Sequence, residues 1–264
     1  ISYPKNLQEQ QKIASCLSSL GEVIAAHSQK LATLKEHKKG LMQNLFPQEG
    51  ETVPKLRFKE FVKEGEWEEK TLGEVCLYFK GFAFQSKDYT SAGRRIVRVS
   101  DMGFDYIKNE KSAIYINEEK AEQFEKWKLQ KDDLIVTTVG SKPPVYDSLV
   151  GRTIVVKLKD ENALLNQNAV CLRANKKSIQ GFLNTLFKRS EYISFIESIV
   201  RGNANKDSMQ KYTVFIPSKE EQQKIASCLS SLDELITAQA EKIAQLKLHK
   251  KGLMQGLFPK MSEL

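Results

Sequence analysis

The chain lacks most of what catalysis or membrane insertion would need. Its 264 residues hold three histidines, His27, His37 and His249, too few and too scattered for a metal site, so no metal is expected. The four cysteines, Cys16, Cys76, Cys171 and Cys228, form no Cys-x-x-Cys pair and read as buried free thiols of a cytoplasmic protein. No run approaches the roughly 18 apolar residues of a membrane span, so no membrane partner is expected. No signal peptide opens the chain, and Ile1 to Pro4 reads instead as the end of a strand. There is no Gly-x-Gly-x-x-Gly and no P-loop, so no nucleotide cofactor is expected.

Two stretches have the look of catalytic motifs and fail on their details. Lys142-Pro143-Pro144-Val145 shares its prolines with the Asp/Asn-Pro-Pro-aromatic motif of amino-methyltransferases. A lysine stands where the target amine would be bound, and the stacking aromatic is missing, so it reads as a rigid turn. Asp132-Asp133 precedes a strand as a nuclease carboxylate might, but no Glu-x-Lys follows, and the pair reads as solvated loop carboxylates.

What the chain does have is a repeat. Glu9–Leu20 and Glu221–Leu232 are the same twelve letters, EQQKIASCLSSL, at an offset of 212 (221 − 9). The match runs on to Pro47 and Pro259, with 29 of 39 positions identical. The period is too long for a solenoid. Apolar residues recur in steps of four and three: Ile13, Leu17, Leu20, Ile24, Leu31, Leu34, Leu41 and Leu45, then Ile225, Leu229, Leu232, Ile236, Ile243, Leu246, Leu253 and Leu257. His27 and Lys38, and Gln239 and Lys250, are the polar members of the two seams. That is a heptad pattern, and it predicts two coiled-coil helices, each ended by Phe-Pro. At about 1.5 Å per residue, a helix of about 38 residues is roughly 57 Å long. So narrow a stripe needs a partner helix.

Between the copies the pattern changes to short strands and turns. Arg95–Val99 alternates as a strand, Leu134–Val139 reads as a buried one, and Gly151–Leu158, Val170–Arg173 and Tyr212–Ile216 add others. Asn117 is placed to cap a helix over Glu118–Trp127, and Ile179–Ile199 has a helical period. Trp67–Phe79 reads as a short helix or turn and then a strand, and Tyr106–Ile116 as a hairpin. The result is an α/β (α+β) domain with mixed strands. Its charge is lopsided. Residues 53–217 carry 28 Lys and Arg against 22 Asp and Glu, a surplus of six within the net +8, which favours a polyanionic partner.

The loops hold the candidate contacts. Lys80, Phe82, Lys87, Arg94, Arg95 and Arg98 cluster in one stretch, with Phe82 and Phe84 read as exposed. Ser141, Lys142 and Tyr146 share a second loop, followed by Arg152. Asn166, Gln167 and Asn168 form a third, and Arg201, Asn203, Asn205 and Lys206 a fourth. Lys and Arg neutralise phosphates, Arg grips a guanine edge, and Asn and Gln pair with adenine in the major groove. The bland alternative is solvated surface charge and turn-forming Asn.

Val53-Pro54-Lys55-Leu56-Arg57-Phe58, Gly65-Glu66-Trp67-Glu68 and Leu72-Gly73-Glu74-Val75 resemble the entry to a target recognition domain of the specificity (S) subunits of type I restriction–modification enzymes. Ile216-Pro217 with Glu221–Ala226 is similar to the exit into a conserved-region helix, and Lys247–Pro259 (with Lys35–Pro47) to that helix's end. Gly81-Phe82-Ala83-Phe84 and Leu165-Asn166-Gln167-Asn168 sit where that family has comparable motifs. The resemblance implies a non-catalytic protein. It would read one half of a split site in double-stranded DNA and assemble with methyltransferase (M) subunits and, through them, restriction (R) subunits. It also implies an antiparallel pairing of the two long helices. On this reading residues 1–4 are the tail of a preceding recognition domain, 5–47 helix one, 48–217 the recognition domain, 218–259 helix two and 260–264 a tail. With one such domain, a two-fold homodimer of half-subunits is the expected way to read a palindromic split site. The competing expectation is a coiled-coil scaffold that binds protein and not DNA.

Overall fold

The structure is a computed structural model that describes residues 4–103, 106–108, 112–138, 153–189, 192 and 211–258. It divides into a helical unit, residues 1–46 with 228–264, and a globular unit, residues 47–227.

In the helical unit α1 spans Leu7–Asn44, opened by Asn6, whose side chain accepts the Gln8 N–H, and carrying Glu9 in its first turn. The second long helix, α5, spans Lys219–Leu257, and its first turns belong to the globular unit. Along α1 the seam positions from Ile13 to Leu41 are all half-buried, while most positions between them are exposed. The helices run antiparallel, because Lys38 meets Asp233 while the earlier His27 meets the later Gln239. Gln239 Nε2 lies 2.8 Å from His27 Nδ1 and donates to the His27 carbonyl at 2.8 Å. Under the repeat this pair maps onto itself (27 + 212 = 239), so a pseudo-two-fold axis passes through it. The Lys38–Asp233 pair maps onto Lys250 and Gly21 (38 + 212 = 250; 233 − 212 = 21). An added Cβ on Gly21 would indeed lie 3.1 Å from Lys250 Nζ.

The globular unit is built on two four-stranded sheets. β1 (Glu68–Thr71) pairs antiparallel with β10 (Thr213–Ile216). α2 (Leu72–Val75) is one turn closed by a capping box between Thr71 and Glu74, and β2 (Cys76–Lys80) follows directly. β2 heads the first sheet, in the order β2-β9-β6-β7, all antiparallel, with β6 at Leu134–Thr137, β7 at Thr153–Val155 and β9 at Ala169–Ala174. The second sheet has the order β3-β5-β4-β8: β3 is Tyr89–Thr90, β4 Arg94–Val97, β5 Ile114–Ile116 and β8 Leu164–Leu165. Its β4–β8 pair is parallel, which makes the architecture mixed. Every residue of β6 is buried, as its β-branched run predicts for a strand covered on both faces. Val97, Met102, Leu129, Ile135, Ile154, Leu165 and Cys171 form one core cluster, and Phe84, Ile96, Ile116, Ala121 and Leu164 a second.

Several expectations need correction. Of the predicted helix over Ile179–Ile199, α4 covers Gln180–Leu186 and gives way to a turn at Phe187–Arg189; Tyr192 is again helical, and 190–191 and 193–199 lie outside the described residues. The segment capped by Asn117 is α-helical only over α3, Glu118–Ala121, and continues as a 3-10 helix to Trp127 with a kink at Phe124. Among the described residues Ile114–Ile116 pairs with β3 and β4 and with no residue of 106–108; Ile107 instead bridges Met102. Cys76 and Cys171 are buried, but Cys16 is exposed and Cys228 half-buried.

Candidate nucleic-acid interface

Two of the loops singled out in the sequence are stitched together. The Gly81 N–H donates to the Ala169 carbonyl at 2.9 Å, and the Phe82 N–H to the Leu165 carbonyl at 2.9 Å, so Phe82 and Asn166 form a parallel bridge. Gly81 lies against the other loop's backbone: a Cβ there would sit 2.0 Å from the Asn166 carbonyl oxygen. A third element joins them, since the Trp127 indole N–H donates to the Lys80 carbonyl at 3.1 Å. The Phe82 ring packs on Trp127, Phe124 and Phe84, with centroids 4.6, 4.8 and 5.1 Å away. The aromatics of Gly81–Phe84 are therefore not exposed as expected. Phe84 is buried in the second core cluster and Phe82 is half-buried. They brace the loops from within.

Over this brace stand Lys80 and Gln167, both exposed, and Asn168, half-buried. Asn166 is buried, and its N–H donates to the Val97 carbonyl at 3.0 Å. Lys126, which sequence reasoning did not select, lies 5.7 Å from the Trp127 ring centroid and is exposed. Neither Lys126 nor Trp127 could be found from a loop search, because both sit at the end of the 3-10 segment.

The arginines of the first stretch take a different part. Arg94 donates through Nε to Glu118 at 2.9 Å and reaches Glu125 at 3.6 Å. Arg95 lies 3.4 Å from Asp160 and donates to the Lys108 carbonyl. Arg98 donates to Asp101 at 3.0 and 3.2 Å and to the Ser112 carbonyl at 2.8 Å. The carboxylate hydrogen bonds raise the pKa of Arg94 and Arg98 further. These guanidinia tie β4 to its neighbours and would reach a ligand only by loosening those pairs. Lys87 is exposed. Ser141, Lys142, Tyr146, Arg152, Arg201, Asn203, Asn205 and Lys206 lie outside the described residues.

The residues that could suggest catalysis are occupied structurally. Asp133 is buried, not solvated: Arg173 donates to it at 2.7 and 2.6 Å, and the Gln130 N–H at 2.7 Å. Arg173 also donates to the Lys128 carbonyl at 2.8 Å and stacks over Phe79 at 5.3 Å. Burial pushes the Cys76 thiol up to about 12, and burial with the nearby Asp133 carboxylate pushes the Cys171 thiol well above the usual range. Both therefore stay protonated and unreactive. Among the described residues no cluster of His, Cys, Asp and Glu could hold a metal ion, and no helix is long and apolar enough to cross a membrane.

Residues 64–248 match the sequence profile of the type I restriction modification DNA specificity domain. The chain belongs to this family. It is 24% identical over 256 residues to the type I restriction enzyme MjaVIII specificity subunit of Methanocaldococcus jannaschii, covering 94% of this chain and 59% of that one. It is 25% identical over 176 residues to the EcoAI specificity subunit of Escherichia coli, covering 64% of this chain and 28% of that one. The fold is similar to the crystal structure of the HsdS subunit from Thermoanaerobacter tengcongensis, with a TM-score of 0.62 at 17% identity over 96% of this chain and 58% of that one. The specificity-domain chain thus spans well under two thirds of each relative. It carries one globular unit among its described residues, flanked by the two long helices.

Proposed function

We propose that residues 47–227 read one half of a two-part site in double-stranded DNA, and that the helical hairpin spaces this reader from a second one. The carrying observation is the stitched pair of loops. Lys80, Gln167 and Asn168 are presented together on a backbone braced by the sheet and by Phe82. Hydrogen-bonding side chains held rigidly at a loop edge are what base reading in the major groove needs. Lys80 and Lys87 contact phosphate, Gln167 and Asn168 read base edges, and Arg94, Arg95 and Arg98 hold the frame. Ser141, Lys142, Tyr146, Arg152, Asn166, Arg201, Asn203, Asn205 and Lys206 complete the contact set argued from sequence.

The chain performs no chemistry in this proposal. It assembles with methyltransferase subunits and, through them, with restriction subunits, and gives them their DNA specificity. The second reader comes either from a second copy related by a two-fold axis or from a separate domain of the same kind. Sedimentation as a strict monomer at micromolar concentration excludes the first.

Expression with the cognate methyltransferase followed by mapping of methylated sites tests the reading. Replacing Gln167 by Ala should relax or change one position of the site, since a good bidentate base contact is worth about 1–3 kcal/mol of discrimination. Replacing Lys80 by Ala should weaken binding to all sequences and flatten its salt dependence. Absence of salt-sensitive duplex binding, even with the methyltransferase present, would leave a protein-binding scaffold as the better account.

A further inference from the structure

Trp127 stands where three separate pieces of chain meet. It ends the 3-10 segment Glu122–Trp127, and the residues that follow it run beside the stretch 162–164. Lys128 bridges Leu164, the Leu129 N–H donates to the Ala163 carbonyl at 2.8 Å, and the Asn162 N–H donates to the Leu129 carbonyl at 2.9 Å. Arg173, itself held by Asp133, donates to the Lys128 carbonyl at 2.8 Å. Backbone bonds thus tie Trp127 to β8, which leads directly into Asn166, Gln167 and Asn168. Its indole N–H ties it at 3.1 Å to the carbonyl of Lys80, the last residue of β2, and its ring lies 4.6 Å from that of Phe82. The two stitched loops therefore share one external post besides the hydrogen bonds between them.

Trp127 is half-buried and is a member of neither core cluster. A tryptophan at such an edge, with its one N–H spent on a loop carbonyl, is better placed to fix a loop than to fill a core. Lys126 extends the post outward. Its side chain is exposed, and its ammonium lies 5.7 Å from the Trp127 ring centroid. The adjacent Glu125 is taken by Lys128 and by Arg94, at 3.6 Å from the latter, and among the described residues no carboxylate pairs with Lys126. A cation over an aromatic face with no acid beside it stays available to an anion.

We propose that Trp127 is a positioning residue of the reading edge, and that Lys126 contacts a backbone phosphate of the same half-site. Trp127 acts through Lys80 and Phe82. Its N–H fixes the Lys80 carbonyl, and so the place where Gly81 meets the Asn166 backbone and where Gln167 is presented. Lys126 lies at the face of the same indole whose N–H edge holds Lys80. A phosphate contact sets position and carries no sequence, whereas Gln167 carries sequence and no charge. Trp127 joins the two. The inference rests on the DNA reading proposed above, and the behaviour of the unaltered chain separates the failure of one from the failure of the other.

The test is duplex binding by the whole chain with its methyltransferase subunit across a range of salt. The probes are the site found by methylation mapping and the same duplex changed at each half-site position in turn. Trp127→Phe keeps a ring beside Phe82 and deletes the N–H. It should cut discrimination at one or more positions about two- to tenfold, the range of one net hydrogen bond. Lys126→Ala should keep that discrimination, weaken all duplexes alike and lower the salt slope by about one, and Lys126→Arg should restore the slope. If Trp127→Phe folds poorly, benzothienylalanine at position 127, which exchanges the N–H for sulfur in the same bicycle, makes the comparison. A Trp127 variant that unfolds at lower denaturant but discriminates as before when folded overturns the positioning role. An unchanged salt slope in Lys126→Ala overturns the phosphate contact. Either result counts against this inference alone when the unaltered chain binds selectively and with salt sensitivity. An unaltered chain that shows no such binding overturns the DNA reading, and this inference with it.

Discussion

The hairpin and the globular unit both pair opposite charges, and burial separates the two cases. In the hairpin, Lys38 meets an Asp233 side chain that is 48% exposed. In the globular unit, Arg173 covers an Asp133 side chain that is 2% exposed. An exposed pair contributes about 0–1 kcal/mol. Removing one member of a buried pair costs about 3–5 kcal/mol, because the other is left uncompensated. The hairpin's polar contacts therefore select a register while the seam supplies the stability. Those of the globular unit hold strands and loops in one arrangement.

Asp133→Ala should break the comparison hardest. It strands Arg173 beside β6 and β9, and denaturant unfolding should show a loss of about 3–5 kcal/mol. Gly81→Ala comes next. The new methyl would meet the Asn166 carbonyl, and a loss of about 1–3 kcal/mol is expected from overpacking. Because this forces the two loops apart, methylation by the assembled enzyme should lose selectivity as well as yield. Gly21→Asp works in the other direction. It offers Lys250 the acid that Lys38 has in Asp233, and replaces a helical glycine, so unfolding should show a gain of about 0.5–1 kcal/mol. Gly21→Asn isolates the charge, and an equal gain from both would mean that Lys250 does not pair.

The smallest effect concerns Asp160. Burial raises its carboxyl pKa, against the lowering by Lys159 and Arg95, and Oδ2 has no hydrogen-bond partner. The folded state therefore holds this proton more tightly than the unfolded chain. Its contribution to stability is present below the ordinary Asp range and is lost as pH rises through the raised value. Asp160→Asn should flatten that segment of the stability–pH curve, read from urea midpoints across the acid range. An unchanged slope would assign the pH dependence to other carboxylates.

The long helices were readable from sequence because their signal is a period sustained over many turns, and β6 because four adjacent apolar or β-branched residues leave few alternatives. β1, Glu-Glu-Lys-Thr, was not, since a charged edge strand is formed by its pairing with β10 and not by its own preference. The 3-10 stretch before Trp127 was likewise set by packing. The loops of the candidate site were found by residue type, but their joining was not, because Gly81 has no conformational signature and the contact it permits lies 85 residues on (166 − 81). The arginines are a related case. Within Lys80–Arg98 the lone acid is Asp88, whereas the fold brings Glu118 to Arg94 and Asp160 to Arg95, and Asp101, three residues on, turns back onto Arg98.

The His27–Gln239 contact makes the hairpin a pairing of unlike partners. A residue on a two-fold axis meets its own counterpart, so in a pair of identical helices the same side chain would stand on both sides of the contact. Here the two sides differ, with an imidazole against a carboxamide. The contact at the axis is therefore one that two copies of α1, or two copies of α5, could not make with each other, and it favours one helix of each kind.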